Sequence, residues 1–126
     1  MSKFLVLYLA PTTVLDDWMK KDPKEREAAE KKMQQEWQQW SRDHAKIFDD
    51  EDAGVGKTKV VNPQGVSDSR NDVMLYATVE ADSHDAAAKL FKDHPHLQIP
   101  QATIEIMEVR SHSMCDGSAT SRPRLR

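Results

Sequence analysis

Residues 71–97 read NDVMLYATVEADSHDAAAKLFKDHPHL, and this stretch decides the fold because it encodes one strand followed by one helix. From Val73 to Glu80 apolar residues alternate with a mixed set, which is typical of a strand with two different faces. Ser83 then provides a helix N-cap, and apolar residues follow at helical spacing. The helix is predicted to stop before Pro95, because a residue that precedes proline avoids the helical conformation.

The segment from Lys3 to Ala10 is predicted to be a strand with apolar residues on both faces. Such a strand is usually central in its sheet and covered on both sides. A long helix is predicted from Asp22 to about Phe48, and its Asp-Pro start is typical of a capped N-terminus. Apolar residues repeat along this helix every three or four positions, at Ala29, Met33, Trp37, Trp40, His44, Ile47 and Phe48.

The remaining elements are shorter and are separated by polar segments. An acidic run at residues 49–52 follows the long helix, and fraying is expected there because the helix dipole disfavours negative charge at a C-terminus. Lys57 to Val61 is predicted to be a short second strand, whereas residues 66–71 are predicted to be a loop. Thr103 to Val109 is predicted to be the last strand, and residues 14–21 fit either a helical turn or an ordered loop.

Length and composition limit the possible classes of protein. The chain has 126 residues, which predicts one folded domain at residues 1–110 and a polar, basic, disordered tail at residues 111–126. Acidic residues (21) outnumber Lys plus Arg (18), so no basic field favours nucleic acid as a partner. The single cysteine, Cys115, excludes a disulfide within the chain. No segment has the length of a membrane span, and a cytoplasmic location is therefore expected.

The predicted order of elements is strand, helix, strand, strand, helix, strand. This order predicts an α+β fold of the ferredoxin-like βαββαβ type, with one antiparallel sheet and both helices on one of its faces. The first strand is nevertheless apolar on both faces, so the second face must also be covered. A second copy of the chain is the simplest cover, which predicts a face-to-face homodimer; a bound partner of another kind also fits.

Several segments together resemble the YCII-related (DGPF-type) family of the dimeric α+β barrel superfamily, over about residues 3–110. They are KFLVLYLAP at the first strand, WQQW in the long helix, VEADSHDAAAKLFKDHPHL, and IEIMEV at the last strand. The Asp-Gly-Pro-Phe segment that names part of the family is absent, and residues 64–68 occupy its region. The resemblance implies a dimeric barrel whose interior is a pocket. It also implies lyase-type chemistry such as dehydrochlorination for a few members, with a His–Asp pair whose histidine lies on the first helix.

His44 is the candidate catalytic base, because it lies on the apolar stripe of the long helix, one turn after Trp40. An imidazole in apolar surroundings is neutral more easily than in water and can take a proton near neutral pH. Asp72 is the first choice as the carboxylate that orients His44, with Asp68 and Glu105 as alternatives. The competing interpretation is a hydrogen-bonded histidine in the core or in an interface.

The mixed face of the sheet is expected to line a small-molecule pocket through Tyr76, Thr78, Glu105 and Met107. The competing interpretation is ordinary packing in a dimer interface. His94 and His96 offer two imidazoles around Pro95, but no further ligand stands at a convincing spacing, so no metal site is predicted and the segment is interpreted as a helix stop.

Three classes of function remain. The first is a lyase or isomerase that uses His44 as a base and needs no cofactor. The second is a non-catalytic protein that binds a small molecule, and the third is a purely structural or partner-binding homodimer whose sheet faces are filled. The resemblance favours the first class, whereas the residue patterns do not separate the first from the second. A cavity that reaches both His44 and a carboxylate would favour catalysis.

Overall fold

The computed structural model of the protein describes residues 1–110, and the tail predicted to be disordered lies outside them. Helices and antiparallel strands are both present, so the predicted α+β class is confirmed. In chain order the elements are β1 (Ser2–Leu9), α1 (Thr12–Met19), α2 (Pro23–Asp43), a 3-10 turn (Ala45–Ile47), β2 (Phe48–Gly54), β3 (Thr58–Asn62), β4 (Gly65–Ser69), β5 (Val73–Ala81), α3 (His84–Leu90), a second 3-10 turn (Pro95–Gln98) and β6 (Thr103–Glu108).

The main sheet has four strands in the order β2-β5-β1-β6, and each neighbouring pair is antiparallel. β1 is therefore an inner strand, as its apolar sequence predicts. Val6 of β1 lies opposite Ala77 of β5 and Ile106 of β6, so these three residues share one face of the sheet. β3 and β4 form a separate two-stranded sheet.

The core lies on the face of the sheet that α2 and α3 cover. Its buried members are Phe4, Val6, Tyr8, Trp40, Ala77, Val79, Ala81, Ala87 and Phe91. Burial of these side chains is the main stabilising contribution, since removing apolar surface from water is worth about 25 cal/mol per Å². Across residues 1–110, no helix combines the length and the apolar character that crossing a membrane requires.

Both predicted helix starts are confirmed. At the start of α2 the Asp22 carboxylate accepts a hydrogen bond from the backbone N–H of Glu25 (3.3 Å), and Pro23 occupies the first helical position. At the start of α3 the Ser83 hydroxyl accepts a hydrogen bond from the backbone N–H of Ala86 (3.0 Å). These caps satisfy backbone amides that have no partner within the helix.

The prediction that the long helix continues to Phe48 is wrong. α2 ends at Asp43, and the acidic run that was expected to fray instead lies in β2. In an extended conformation Phe48 reaches the core opposite Val79, and the acids avoid the negative end of the helix dipole. β5 provides the pairing edge for β2, and this long-range pairing outweighs the weak intrinsic strand preference of aspartate.

The predicted second strand, Lys57 to Val61, is also misplaced. β3 covers most of it, but it pairs with β4 in the separate hairpin, and not with the main sheet. β4 occupies much of the segment predicted to be a loop, because Gly65 adopts a positive φ (134°) and closes the hairpin. The ambiguous segment at residues 14–21 is mostly helical, as part of α1.

Candidate functional site

The four residues predicted to line a pocket lie together on the sheet face opposite the core. Leu7 of β1 stands between Tyr76 and Glu105, and Leu5 stands between Thr78 and Met107. The helices that supply core residues, α2 and α3, pack on the opposite side, and Tyr76 and Met107 are 41% and 39% exposed. We call this surface the open face; it also includes Leu9, Met74 and Thr103.

His44 is the C-cap residue that follows α2, and its side chain is half-buried. The imidazole stacks on the Trp40 indole with ring centroids 4.1 Å apart. Its Nδ1 lies 2.8 Å from the Trp40 carbonyl oxygen, and because a carbonyl only accepts, Nδ1 carries the proton. Nε2 is then the basic nitrogen of the neutral ring. Among residues 1–110, no carboxylate is hydrogen-bonded to His44.

The structure does not bring Asp72 to His44. Phe48, just after His44, lies opposite Val79 at one end of β5, whereas Asp72 precedes the other end. Val79 and Asp72 are seven positions apart, which at about 3.3 Å per residue corresponds to roughly 23 Å. The alternative carboxylates are also elsewhere: Asp68 pairs with Lys59 in the hairpin, and Glu105 lies on the open face. No predicted orienting carboxylate therefore stands beside His44.

Asp52 of β2 occupies a position that the sequence did not single out. Its Oδ1 accepts a hydrogen bond from the Tyr8 hydroxyl (2.8 Å), and its Oδ2 accepts one from Trp37 Nε1 (2.7 Å). Tyr8 comes from the inner strand β1 and Trp37 from α2, so three elements fix one carboxylate. Both donors are neutral, and the described residues include no cation paired with Asp52. The site therefore keeps a negative charge that is oriented but not neutralised.

Tyr8 is fully buried, and its environment keeps the hydroxyl protonated. Burial raises the pKa of Tyr8 far above its usual value, and the negative charge of Asp52 and the hydrogen bond to it raise that pKa further. Tyr8 is consequently a hydrogen-bond donor at any physiological pH. It holds Asp52 in place and cannot act as a base.

A cleft of about 600 Å³ opens between α2 and β2 above this carboxylate. The residues that line it are Trp37, Gln38, Ser41, Arg42, Ala45, Phe48, Asp49 and Asp52. His44 is not among them, although its neighbour Ala45 is. The cleft thus combines two aromatic walls with a fixed carboxylate, which is the composition of a small-molecule site.

The charged groups of the cleft differ in how they are paired. Asp49 forms an ion pair with Lys3 (2.9 Å). Arg42 donates a hydrogen bond from Nη2 to the neutral Gln39 side chain (2.8 Å), and among the described residues it has no carboxylate partner. Asp52 and Arg42 are therefore two unpaired charges of opposite sign in one cleft.

His94 and His96 lie directly behind this site and are almost fully buried. His94 Nδ1 accepts a hydrogen bond from the backbone N–H of His96 (3.0 Å), so the neutral ring carries its proton on Nε2. His96 Nε2 donates to the Leu9 carbonyl (2.9 Å). Within residues 1–110, neither His94 Nε2 nor His96 Nδ1 has a hydrogen-bond partner.

Aromatic rings surround His94. Its ring centroid lies 4.3 Å from Trp37, 4.4 Å from Trp40 and 5.2 Å from Tyr8. Burial, together with the smaller effects of the nearby His96 and His44 rings, lowers the pKa of His94 to about 3. Burial also lowers the pKa of His96, while the backbone carbonyls of Leu9 and Thr103 oppose this shift. Both imidazoles are therefore neutral packing elements that support Trp37 and Tyr8.

The described residues contain no group of three or more His, Cys, Asp or Glu side chains arranged to hold a metal ion. The chemistry that the cleft itself provides is that of an oriented carboxylate. Such a group can accept hydrogen bonds from a ligand, attract its positive charge, or take a proton from it.

Sequence reasoning missed Asp52 because it assigned the acidic run to a helix end. Irregularities in the β2–β5 pairing occur on both sides of Asp50, so a simple alternating pattern does not reveal which acid faces the core. Trp37 lies on the apolar stripe of the long helix, and the N–H of a buried indole needs an acceptor. This need for an acceptor is the sequence signal that could have indicated a nearby carboxylate.

Comparison with protein-family models yields no match for this chain, and comparison with curated proteins yields no significant match.

Proposed function

We propose that this protein is a homodimer of the dimeric α+β barrel type that binds a small molecule in the cleft beside Asp52. The order β2-β5-β1-β6 of the main sheet supports a ferredoxin-like arrangement, if β3 and β4 are regarded as an inserted hairpin. The two helices that supply core residues, α2 and α3, pack on the same face, which agrees with this arrangement.

The open face supports the dimer. Leu5, Leu7 and Leu9 of the inner strand β1 are half-buried there, next to the exposed side chains of Tyr76 and Met107. A two-fold axis would place the same apolar surface of a second copy against it, which is how most homodimers are built. The resemblance to the YCII-related family leads to the same proposal.

One observation carries the binding function: Asp52 is held by two neutral donors at a cleft and has no cation partner among the described residues. A partly buried charge without a counter-ion is costly unless water or a ligand compensates it. The two donors occupy only one acceptor position on each oxygen of Asp52, which leaves further acceptor positions for a ligand. The arrangement is therefore best explained as part of a ligand site.

The first experiment is native mass spectrometry of the untagged full-length chain, with its denatured mass as reference. We expect a dimer, and we expect a non-covalent adduct or a library compound to be retained. The variant Asp52→Asn should lose that compound, whereas Asp16→Asn, which alters a carboxylate outside the cleft that pairs with Arg70, should keep it. A monomer would contradict the proposed assembly. A parent protein that retains no compound from a mixed library would contradict the proposed binding function.

Catalysis by His44 stays a separate hypothesis. Its Nε2 is the basic nitrogen of the ring, but His44 does not line the cleft, and neither Asp72 nor Asp52 is hydrogen-bonded to it. If the protein turns over a compound, His44→Gln should abolish turnover while the dimer mass and the unfolding midpoint stay close to those of the parent. Unchanged turnover in this variant would exclude His44 as the base.

A further inference from the structure

We propose that the ligand of the cleft is a small aminocarboxylate, which is a compact molecule with an ammonium group, a carboxylate and an apolar frame. This inference rests on the proposed function and specifies its ligand class. It is based on the pairing of two charges in the cleft, the Asp52 carboxylate and the Arg42 guanidinium.

Asp52 is the group that would bind the ammonium end. A carboxylate has about four lone-pair positions, and in Asp52 each oxygen accepts one hydrogen bond from the described protein, from Tyr8 or from Trp37. The remaining positions are suited to N–H donors of a ligand. The rings of Trp37 and Phe48 line the same cleft, and aromatic faces attract organic cations.

Arg42 is the group that would bind the carboxylate end. It lies in the last turn of α2, and its Nη2 bonds only the neutral side chain of Gln39 among the described residues. The planar guanidinium matches a carboxylate with two parallel hydrogen bonds. The contact to Gln39 anchors one end of the guanidinium and leaves other N–H groups for a ligand.

The two charges together favour a ligand that carries both an ammonium group and a carboxylate. A plain ammonium compound would be attracted by Asp52 but repelled by Arg42, and a plain carboxylate would experience the reverse. A neutral molecule would leave both charges without a partner. A ligand with both charges satisfies both groups at once, and the cleft volume of about 600 Å³ is sufficient for a compound of amino-acid size.

Four probes with the same phenyl frame test this inference on the full-length protein. They are phenylalanine, 2-phenylethylamine, 3-phenylpropionate and 2-phenylethanol. Isothermal titration calorimetry gives the affinities, and amide chemical shifts around Asp52 and Trp37 locate the binding. We expect phenylalanine to bind about tenfold or more tightly than each of the other three, because each charge-assisted contact adds affinity.

Variants test which residue binds the ammonium end of the ligand and which binds the carboxylate end. Asp52→Asn should weaken phenylalanine binding about tenfold and leave 3-phenylpropionate no weaker, whereas Arg42→Gln should weaken phenylalanine and leave 2-phenylethylamine no weaker. Arg42 is exposed and outside the core, so the Arg42→Gln result does not depend on the folding of the Asp52 variant. Asp16→Asn is the control, because Asp16 is an exposed carboxylate of α1 that pairs with Arg70 and does not line the cleft, and it should change phenylalanine affinity by less than about twofold.

Two outcomes overturn the inference in distinguishable ways. If the alcohol binds as tightly as phenylalanine and Asp52→Asn has no effect, the cleft still binds small molecules, but the ligand class is wrong. If neither the phenyl series nor a mixed library binds to the parent protein, the inference and the proposed function both fail.

Discussion

At the residue scale, Asp52 shows how a charged group is retained next to a hydrophobic core. The buried Tyr8 hydroxyl and the Trp37 indole each donate one hydrogen bond to it. A hydrogen bond to a charged acceptor contributes about 1.5–3 kcal/mol, and an unsatisfied buried donor costs a similar amount. The two donors consequently depend on Asp52: removing Asp52 leaves both without an acceptor, whereas removing either donor leaves Asp52 with one hydrogen bond fewer.

Tyr8→Phe tests this dependence. We expect a loss of about 1.5–3 kcal/mol in the free energy of unfolding, because the hydroxyl is removed while the ring still fills its place. Urea denaturation at one fixed protein concentration measures it. Tyr76→Phe is the matched control, since that side chain is 41% exposed, and it should change stability by less than about 0.5 kcal/mol. Equal stability of Tyr8→Phe and the parent would show that the bond to Asp52 contributes nothing.

The buried environment of His94 makes the stability of the protein depend on pH. Its pKa is lowered from 6.5 to about 3 because burial disfavours the charged ring. The unfolded chain therefore binds a proton between those two values while the folded protein does not. The contribution of His94 to the free energy of unfolding is complete above pH 6.5, the pKa of the ring in the unfolded chain. As the pH decreases from 6.5 toward 3, the free energy of unfolding falls by at most about 1.4 kcal/mol per pH unit for this one proton.

His94→Asn should reduce this pH dependence. Asn cannot be protonated in this range, and its side-chain oxygen can still accept the backbone N–H of His96 that Nδ1 accepts now. We expect lower stability at pH 8, because the ring packing is lost, and a smaller decrease between pH 6.5 and pH 4.5. Unfolding free energies at both pH values provide the comparison. An unchanged decrease in the variant would assign the pH dependence to other groups, such as His96, whose pKa is also lowered.

At the element scale, the arrangement of the main sheet depends on which segment pairs with the edge of β5 that β1 leaves free. β2 holds that position although its sequence, FDDEDAG, has little strand character. The more strand-like segment TKVVN becomes β3 of the hairpin. Phe48 explains the choice, because only β2 brings this ring to the core next to Trp40 and Phe91.

Amide hydrogen exchange distinguishes the two pairings. The backbone N–H of Val55, just after β2, donates to the Met74 carbonyl of β5 (2.9 Å), and we expect it to exchange slowly together with the amides of β5. Amides of β3 should exchange much faster, because a two-stranded hairpin with mostly exposed side chains is marginally stable. The opposite result would be slow exchange of the amides of residues 58–62, as slow as in β5, together with rapid exchange in residues 48–54. That result would support the sequence-based prediction that Lys57 to Val61 is the second strand of the main sheet.

At the scale of the whole molecule, one face of the sheet carries the core and the other carries a partly apolar surface. The two helices that supply core residues, α2 and α3, cover the core face, and Tyr76 and Met107 of the open face are exposed. An apolar surface of this kind usually marks an interaction site. The proposed dimer would bury it, and the proposed cleft lies on the opposite side of the sheet, so assembly and ligand binding can be tested separately.

Leu5→Arg tests the assembly. Leu5 is half-buried on the open face between Thr78 and Met107, and a charge there would be buried without a partner in a face-to-face dimer. We expect this variant to sediment as a monomer at concentrations where the parent is a dimer. Val61→Arg changes a residue of the separate hairpin that is 75% exposed, and it should remain a dimer. Dimers in both variants would exclude the open face as the interface.

Much of the fold follows from local sequence signals. The caps at Asp22 and Ser83, the stop before Pro95 and the apolar inner strand were all predicted, because each depends on residues close together in the chain. The four open-face residues were also correctly grouped, since alternation along a strand determines which side chains share a face.

Tertiary structure alone decided the rest. The end of α2, the identity of β2 and the meeting of Asp52 with Tyr8 and Trp37 all depend on contacts between distant parts of the chain. Local propensity disfavours an acidic strand, and pairing with β5 together with burial of Phe48 outweighs it. The sequence by itself thus determined the class of fold and the faces of its strands. The position of the one oriented carboxylate was determined by packing, because hydrogen-bond partners from three elements meet only once the core has formed.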